Sequence, residues 1–151
     1  DVLVRGLREN RAPDGPAAVE PPTGLAALDT LAERYRAGGL AIEIHVDGGP
    51  RQLPRALDQA AYRILQESLT NAARHGAGAA DVRIRYGESE LELTTSNPAA
   101  PAAVGDAVVG GHGILGMRER AALLGGRLEV GRDGGEFRVR ARLPYNGEEE
   151  G

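Results

Sequence analysis

Between Gly24 and Pro144 the apolar residues change their spacing from helical to alternating and back, and glycine pairs sit at several of the changes. In "GLAALDTLAERYRAGG", Leu25, Leu28, Leu31 and Tyr35 recur at the spacing of one helix face, and Gly38-Gly39 supplies a stop. "LAIEIHVDGG" alternates Ile42, Ile44 and Val46 against Glu43 and His45, the two-residue period of a strand, and turns at Asp47-Gly48. A long helix is predicted from about Pro54 to His75. "ADVRIRYG" and "LELTTS" read as strands about a turn at Gly87–Glu90. Residues 97–112 are rich in Ala, Pro and Gly and have no period. "ILGMRERAALLGG" reads as a helix ended by Gly125-Gly126, and "RLEVGRDGGEFRVRARLP" as a hairpin turning at Asp133-Gly134-Gly135. This order of helices and strands predicts an α+β two-layer sandwich. Its sheet is mixed and mostly antiparallel, with about three helices on one face.

Composition narrows the function classes. At 151 residues the chain suffices for one domain with a sizeable core. No apolar run approaches the ~20 residues that span a bilayer. The charged start "DVLVRGLREN" does not read as a signal peptide, and there is no Cys to form a disulfide or thiolate metal site. The expectation is a cytoplasmic domain, whether or not the full-length protein is membrane-anchored. A net charge of −4 and 3% aromatics argue against nucleic acid as the main partner. All 18 basic residues are Arg, a bias that fits a high-GC genome, so an individual Arg carries little message. Residues 1–10 read as the last turns of a preceding helix, 11–23 as a Pro-rich linker, 24–145 as the folded domain and 146–151 as an acidic tail.

Two stretches carry chemistry. In "YRILQESLTNAARHG" residues four apart stack on one helix face, so Glu67, Asn71 and His75 form a polar ridge with Arg74 beside it. Tyr62, Leu65, Leu69 and Ala72 line another face. The ridge is either a solvated surface or the wall of a site. In "VVGGHGILGMRER", Gly110, Gly111, Gly113 and Gly116 surround a loop-to-helix junction. Glycines admit a ligand close to the backbone, and a helix start offers free N–H groups to an anion. A plain flexible loop with a capped helix is the alternative.

Taken together and in this order, "QESLTNAARHG", "GGHGILGMRERAALLGG" and "GGEFRVRARLP" closely resemble the ATP-binding catalytic domain of sensor histidine kinases, with the NarL-type subfamily nearest. The resemblance runs from about Gly24 to Pro144 and implies the Bergerat ATPase fold. It makes Asn71 the asparagine that holds the Mg²⁺ bridging the ATP phosphates. It makes Glu67 an acid that polarises the attacking group or orders the metal shell. Arg74 faces phosphate, and His75 assists it or caps the helix. Gly111, Gly113 and Gly116 let a lid close over the phosphates, with His112, Ile114 and Met117 alongside on the nucleotide side. Arg118 and Glu119 are expected to have a structural ion-pair role and no catalytic one, and His45 is read as structural. Implied partners are a histidine-bearing dimerisation domain of the same kinase and, through it, a response regulator. The domain alone is expected to be a monomer that does not autophosphorylate, and the full-length protein a dimer.

The sequence departs from the family at the adenine end. Where the family has Asp-x-Gly, this chain reads Asn97-Pro98-Ala99, and Glu136-Phe137 stands where a Thr is usual. Asn accepts a hydrogen bond through Oδ1 without a charge. A charged acceptor is worth roughly 1.5–3 kcal/mol and a neutral one about 0.5–1.5, so a roughly tenfold weakening is expected. The alternative reading is a nucleotide-poor pseudokinase acting as an interaction module. A serine kinase of the anti-sigma type on the same fold is a third reading.

Overall fold

A computed structural model describes residues 24–75, 77–98 and 112–145. The expectations for residues 1–23, for the loop residues 99–111 and for the tail 146–151 lie outside the described residues.

A 3₁₀ turn, Leu25–Ala27, leads into α1 (Leu28–Ala37). Then follow β1 (Ala41–Asp47), α2 (Arg55–His75), β2 (Ala79–Tyr86), β3 (Glu90–Pro98), α3 (His112–Leu123), β4 (Arg127–Asp133) and β5 (Glu136–Pro144). The expected first helix from Gly24 is thus a 3₁₀ turn continued as an α-helix. Its entry is held from a distance: Leu25 N donates to Asp58 Oδ1 at 2.9 Å. A Cβ on Gly24 would run into that carboxylate, so a larger residue there would push Asp58 off Leu25 N.

The sheet order is β1-β2-β3-β5-β4. β1 and β2 are parallel, because α2 crosses between them, and every other pair is antiparallel. The sheet is therefore mixed and mostly antiparallel, as expected. The last hairpin turns through Gly134 (φ 58°) and Gly135 (φ 84°), the left-handed pair that a two-residue turn needs.

Alternation decides which side the helices cover. Ile42, Val82, Ile84, Leu91, Leu93, Val139, Ala141 and Leu143 point inward and are buried. Against them pack Leu31 of α1, Leu57, Ile64, Leu65 and Leu69 of α2, and Met117 and Ala121 of α3. Each large aliphatic side chain so buried contributes about 1.5–3 kcal/mol. The intervening strand residues, such as Glu43, Arg83, Arg85 and Arg138, lie on the opposite, uncovered face. Among the described residues, no helix is long and apolar enough to cross a membrane.

Candidate functional site

The site is built where α2 meets α3. On α2 the apolar stripe of Tyr62, Leu65, Leu69 and Ala72 is buried, as the spacing predicts. Glu67, Asn71 and His75 are rotated away from it and partly exposed, and Arg74 is exposed. Ser68 falls with the stripe. Its Oγ donates to Ile64 O at 2.8 Å and lies 3.5 Å from Met117 Sδ. Sequence reading passed over Ser68, although its position between Leu65 and Leu69 places it on the covered face.

Met117 is fully buried and Ile114 nearly so, which presses the first turns of α3 against α2. Gly113 lies in that first turn. A Cβ added to it would stand 2.9 Å from Glu67 Oε1 and 3.8 Å from Asn71 Oδ1. Two stretches more than 40 residues apart in the chain therefore converge, and the backbone at Gly113 comes close to the carboxylate of Glu67. At Gly116 a Cβ would meet nothing within 4 Å, so close packing gives no reason for that glycine.

Asn71 Nδ2 is buried and has no hydrogen-bond partner among the described residues. An unpaired buried donor costs about 1–3 kcal/mol, so such a group is ordinarily met by a water, an ion or a ligand's acceptor. The carboxylate of Glu67 and the amide oxygen of Asn71 are both hard donors, the type that Mg²⁺ takes. The residues present thus fit a metal-bound phosphate.

At the other end, Asn97 is 5% exposed, on the same face of β3 as Leu91, Leu93 and Thr95. Its Nδ2 donates to Pro98 O at 3.1 Å. Register sets Phe137 opposite Asn97 and Glu136 opposite Pro98, so the pair in place of the usual Thr does stand beside Asn97. Ala77 N donates to Pro98 O at 3.1 Å, which ties the exit of α2 to the end of β3.

Gly111 and the loop before it lie outside the described residues; His112 begins α3. Arg118 and Glu119 are exposed, and among the described residues neither has an ion-pair partner for the structural role expected of them. His45 bonds Asp81 across the β1–β2 pair.

The fold matches that of solved histidine kinase domains, and the chain is similar in sequence to sensor histidine kinases. It is 34% identical over 131 residues to sensor histidine kinase LnrJ of Bacillus subtilis, covering 81% of this chain and 30% of that protein. It is 33% identical over 112 residues to sensor histidine kinase YxjM of the same organism, covering 72% of this chain and 27% of that one. The chain therefore spans less than a third of the length of these relatives. Among solved structures, the histidine kinase domain of the Erythrobacter litoralis EL346 blue-light activated histidine kinase superposes with a TM-score of 0.61 at 22% identity. That match covers 85% of this chain and 71% of the other. No family model matches the chain.

Proposed function

We propose that residues 24–145 form the ATP-binding catalytic unit of a cytoplasmic sensor-kinase region, delivering the γ-phosphoryl group of Mg·ATP to a histidine on an adjacent dimerisation domain. From there the group passes to an aspartate of a response regulator. The observation that carries this reading is the convergence of Gly113 on Glu67 and Asn71, with Asn71 Nδ2 buried and unpaired.

Phosphoryl transfer is mostly positioning and charge neutralisation, so the protein needs fixed dipoles and few nucleophiles. Asn71 Oδ1 would hold Mg²⁺, which when bound neutralises charge on the phosphate oxygens. Glu67 Oε1, one turn earlier, accepts a hydrogen bond from the incoming imidazole N–H and so keeps the attacking nitrogen's lone pair directed at phosphorus. The start of α3 supplies backbone N–H groups to phosphate oxygens. Arg74, exposed at the last turn of α2, adds positive charge at the entrance, and His75 stands one turn beyond Asn71. Ile114 and Met117 act from below, fixing α3 against α2 so that Gly113 stays at the ridge. Asn97 Oδ1 accepts from the adenine amino group, since Nδ2 is turned to Pro98 O.

The test is calorimetric titration of this chain with Mg·ATP, followed by transfer of labelled γ-phosphate to a separately supplied histidine-bearing dimerisation domain. Micromolar binding that Asn71→Ala removes is the expected result. No binding by the chain, and none after Asn97→Asp combined with Ala99→Gly, would instead favour an interaction module that has lost its nucleotide. That second reading has one specific support: Asn97 spends a donor on its own neighbour.

A further inference from the structure

The uncovered face of the sheet carries a second group of side chains unrelated to the ridge. Glu43 and His45 project from β1 and Asp81 from β2, and parallel register sets Glu43 directly opposite Asp81. Like charges placed opposite on a sheet repel. Arginine does not relieve this pair among the described residues. Arg36 is engaged by Glu33 and Ile42 O, and Arg83 by Asp47. What lies between the two carboxylates is His45: its Nε2 is 3.0 Å from Asp81 Oδ1 and 3.5 Å from Glu43 Oε1. One donor atom from each of the three residues lies within 4.8 Å of the other two.

We propose that Glu43, His45 and Asp81 form a divalent transition-metal site on the outer face of the sheet, best matched to Zn²⁺. Zinc bonds imidazole nitrogen and carboxylate oxygen at about 2.0–2.2 Å, so tetrahedral ligand atoms sit roughly 3.3 Å apart. The two nitrogen–oxygen separations, 3.0 and 3.5 Å, bracket that value. Adjustment of the Glu43 side chain, which is 79% exposed, can close the remaining oxygen–oxygen gap. The donor set of one imidazole and two carboxylates favours zinc or its late transition-metal neighbours over Mg²⁺, which prefers oxygen alone. All three residues stand on hydrogen-bonded strands, so little backbone has to be ordered on binding. The fourth position faces solvent and would hold water, or a side chain from a partner. Functionally, such an ion would bridge edge strand β1 to β2 and replace a repulsive pair by a shared cation. Ser96 of β3 is the next residue in that row, beside Asp81.

The probe is Zn²⁺ alone, titrated by calorimetry into the 151-residue chain, with Co²⁺ absorption as an independent readout of coordination. The expected result is one equivalent bound in the micromolar range, with an intense visible Co²⁺ band of a four-coordinate ion. His45→Ala and Asp81→Asn should each weaken this site at least tenfold and abolish the band. Both side chains are at the surface, and circular dichroism checks that the variants remain folded. Asn71→Ala, at the other site, should leave the zinc affinity unchanged. Zinc affinity altered less than twofold by His45→Ala, or zinc binding lost in Asn71→Ala instead, would overturn the proposal. So would a Co²⁺ spectrum of the weak, six-coordinate hydrated type.

Discussion

The two ends of the candidate nucleotide site are built differently. At the α2–α3 junction, Glu67 and Asn71 come from one helix, Gly113 from another, and buried Met117 and Ser68 lock the helices together. A donor there is left unspent, as Asn71 Nδ2 has no partner among the described residues. At the end of β3, Asn97 sits deep but spends its Nδ2 on the adjacent Pro98 carbonyl, and bulky Phe137 is its cross-strand neighbour. One end keeps its hydrogen-bonding capacity available, and the other uses part of it internally. In a domain that binds ATP, the first would set whether the phosphates are held, and the second how tightly the base is.

The largest effect should come from Asn71→Ala. Removing a group that holds the metal–phosphate unit is expected to weaken Mg·ATP binding by more than about 100-fold, beyond the 10–100-fold typical of a supporting residue. The fold should tolerate it, since the orphaned donor goes with the side chain. Calorimetry beside a thermal melt measures both. Binding within threefold of the parent would remove the junction from the site and leave the comparison without its stronger half.

Gly113→Ala should act next, and in a divided way. The new methyl would stand 2.9 Å from Glu67 Oε1, the far end of a flexible side chain, so Glu67 swings aside and the backbone stays. Alanine is favoured over glycine in a helix by up to about 1 kcal/mol, so the melting temperature should hold or rise slightly. Transfer to histidine should fall by about 10–100-fold, because a positioned acid–base group contributes roughly 10²–10⁴ and is here misplaced. A parallel loss of stability and transfer would mean that Gly113 matters for packing alone.

At the weaker end, Asn97→Asp is expected to tighten nucleotide binding by about tenfold, the difference between a charged and a neutral acceptor. The gain should appear with ATP and ADP alike and be absent with inorganic triphosphate, which has no base. Unchanged or weaker ATP binding would show that Phe137 and Pro98, more than the missing charge, limit that end.

Much of this was legible in the sequence, for reasons that differ by region. The long helix was readable because Tyr62, Leu65, Leu69 and Ala72 keep one period and leave Glu67 and Asn71 displaced from it. The hairpins were readable because Gly134-Gly135 and the two-residue alternation are local signals. What one-dimensional reading could not supply was contact between distant residues. Nothing in "DQAAY" says that Asp58 will cap Leu25, and nothing in "GGHG" gives the distance from Gly113 to Glu67. In the sequence His45 is a lone histidine on a strand and reads as structural. Only the β1–β2 register shows Asp81 beside it. The ion-pair role expected of Arg118 and Glu119 finds no partner among the described residues, since both lie on the exposed side of α3.

The smallest predicted effect lies away from both ends and serves as their control. Tyr86, at the end of β2, has its phenol pKa raised by burial first, then by the negative charge of Asp58 and by Tyr145. A raised folded-state pKa means that the fold favours the neutral phenol. The associated stability is present below the ordinary tyrosine value near 10 and is lost as pH climbs through the higher folded value. Melting temperature should therefore fall more steeply above about pH 10 in the parent chain than in Tyr86→Phe. The two should run parallel at neutral pH, where the phenol carries no charge in either state. Nucleotide affinity should be the same in both proteins, since Tyr86 pairs with Leu91 at the end of the β2–β3 ladder far from Asn97. Identical alkaline slopes would show that the phenol is solvated in solution. A change in affinity would show that the sheet transmits strain from this end to the site, and would break the treatment of the two ends as independent.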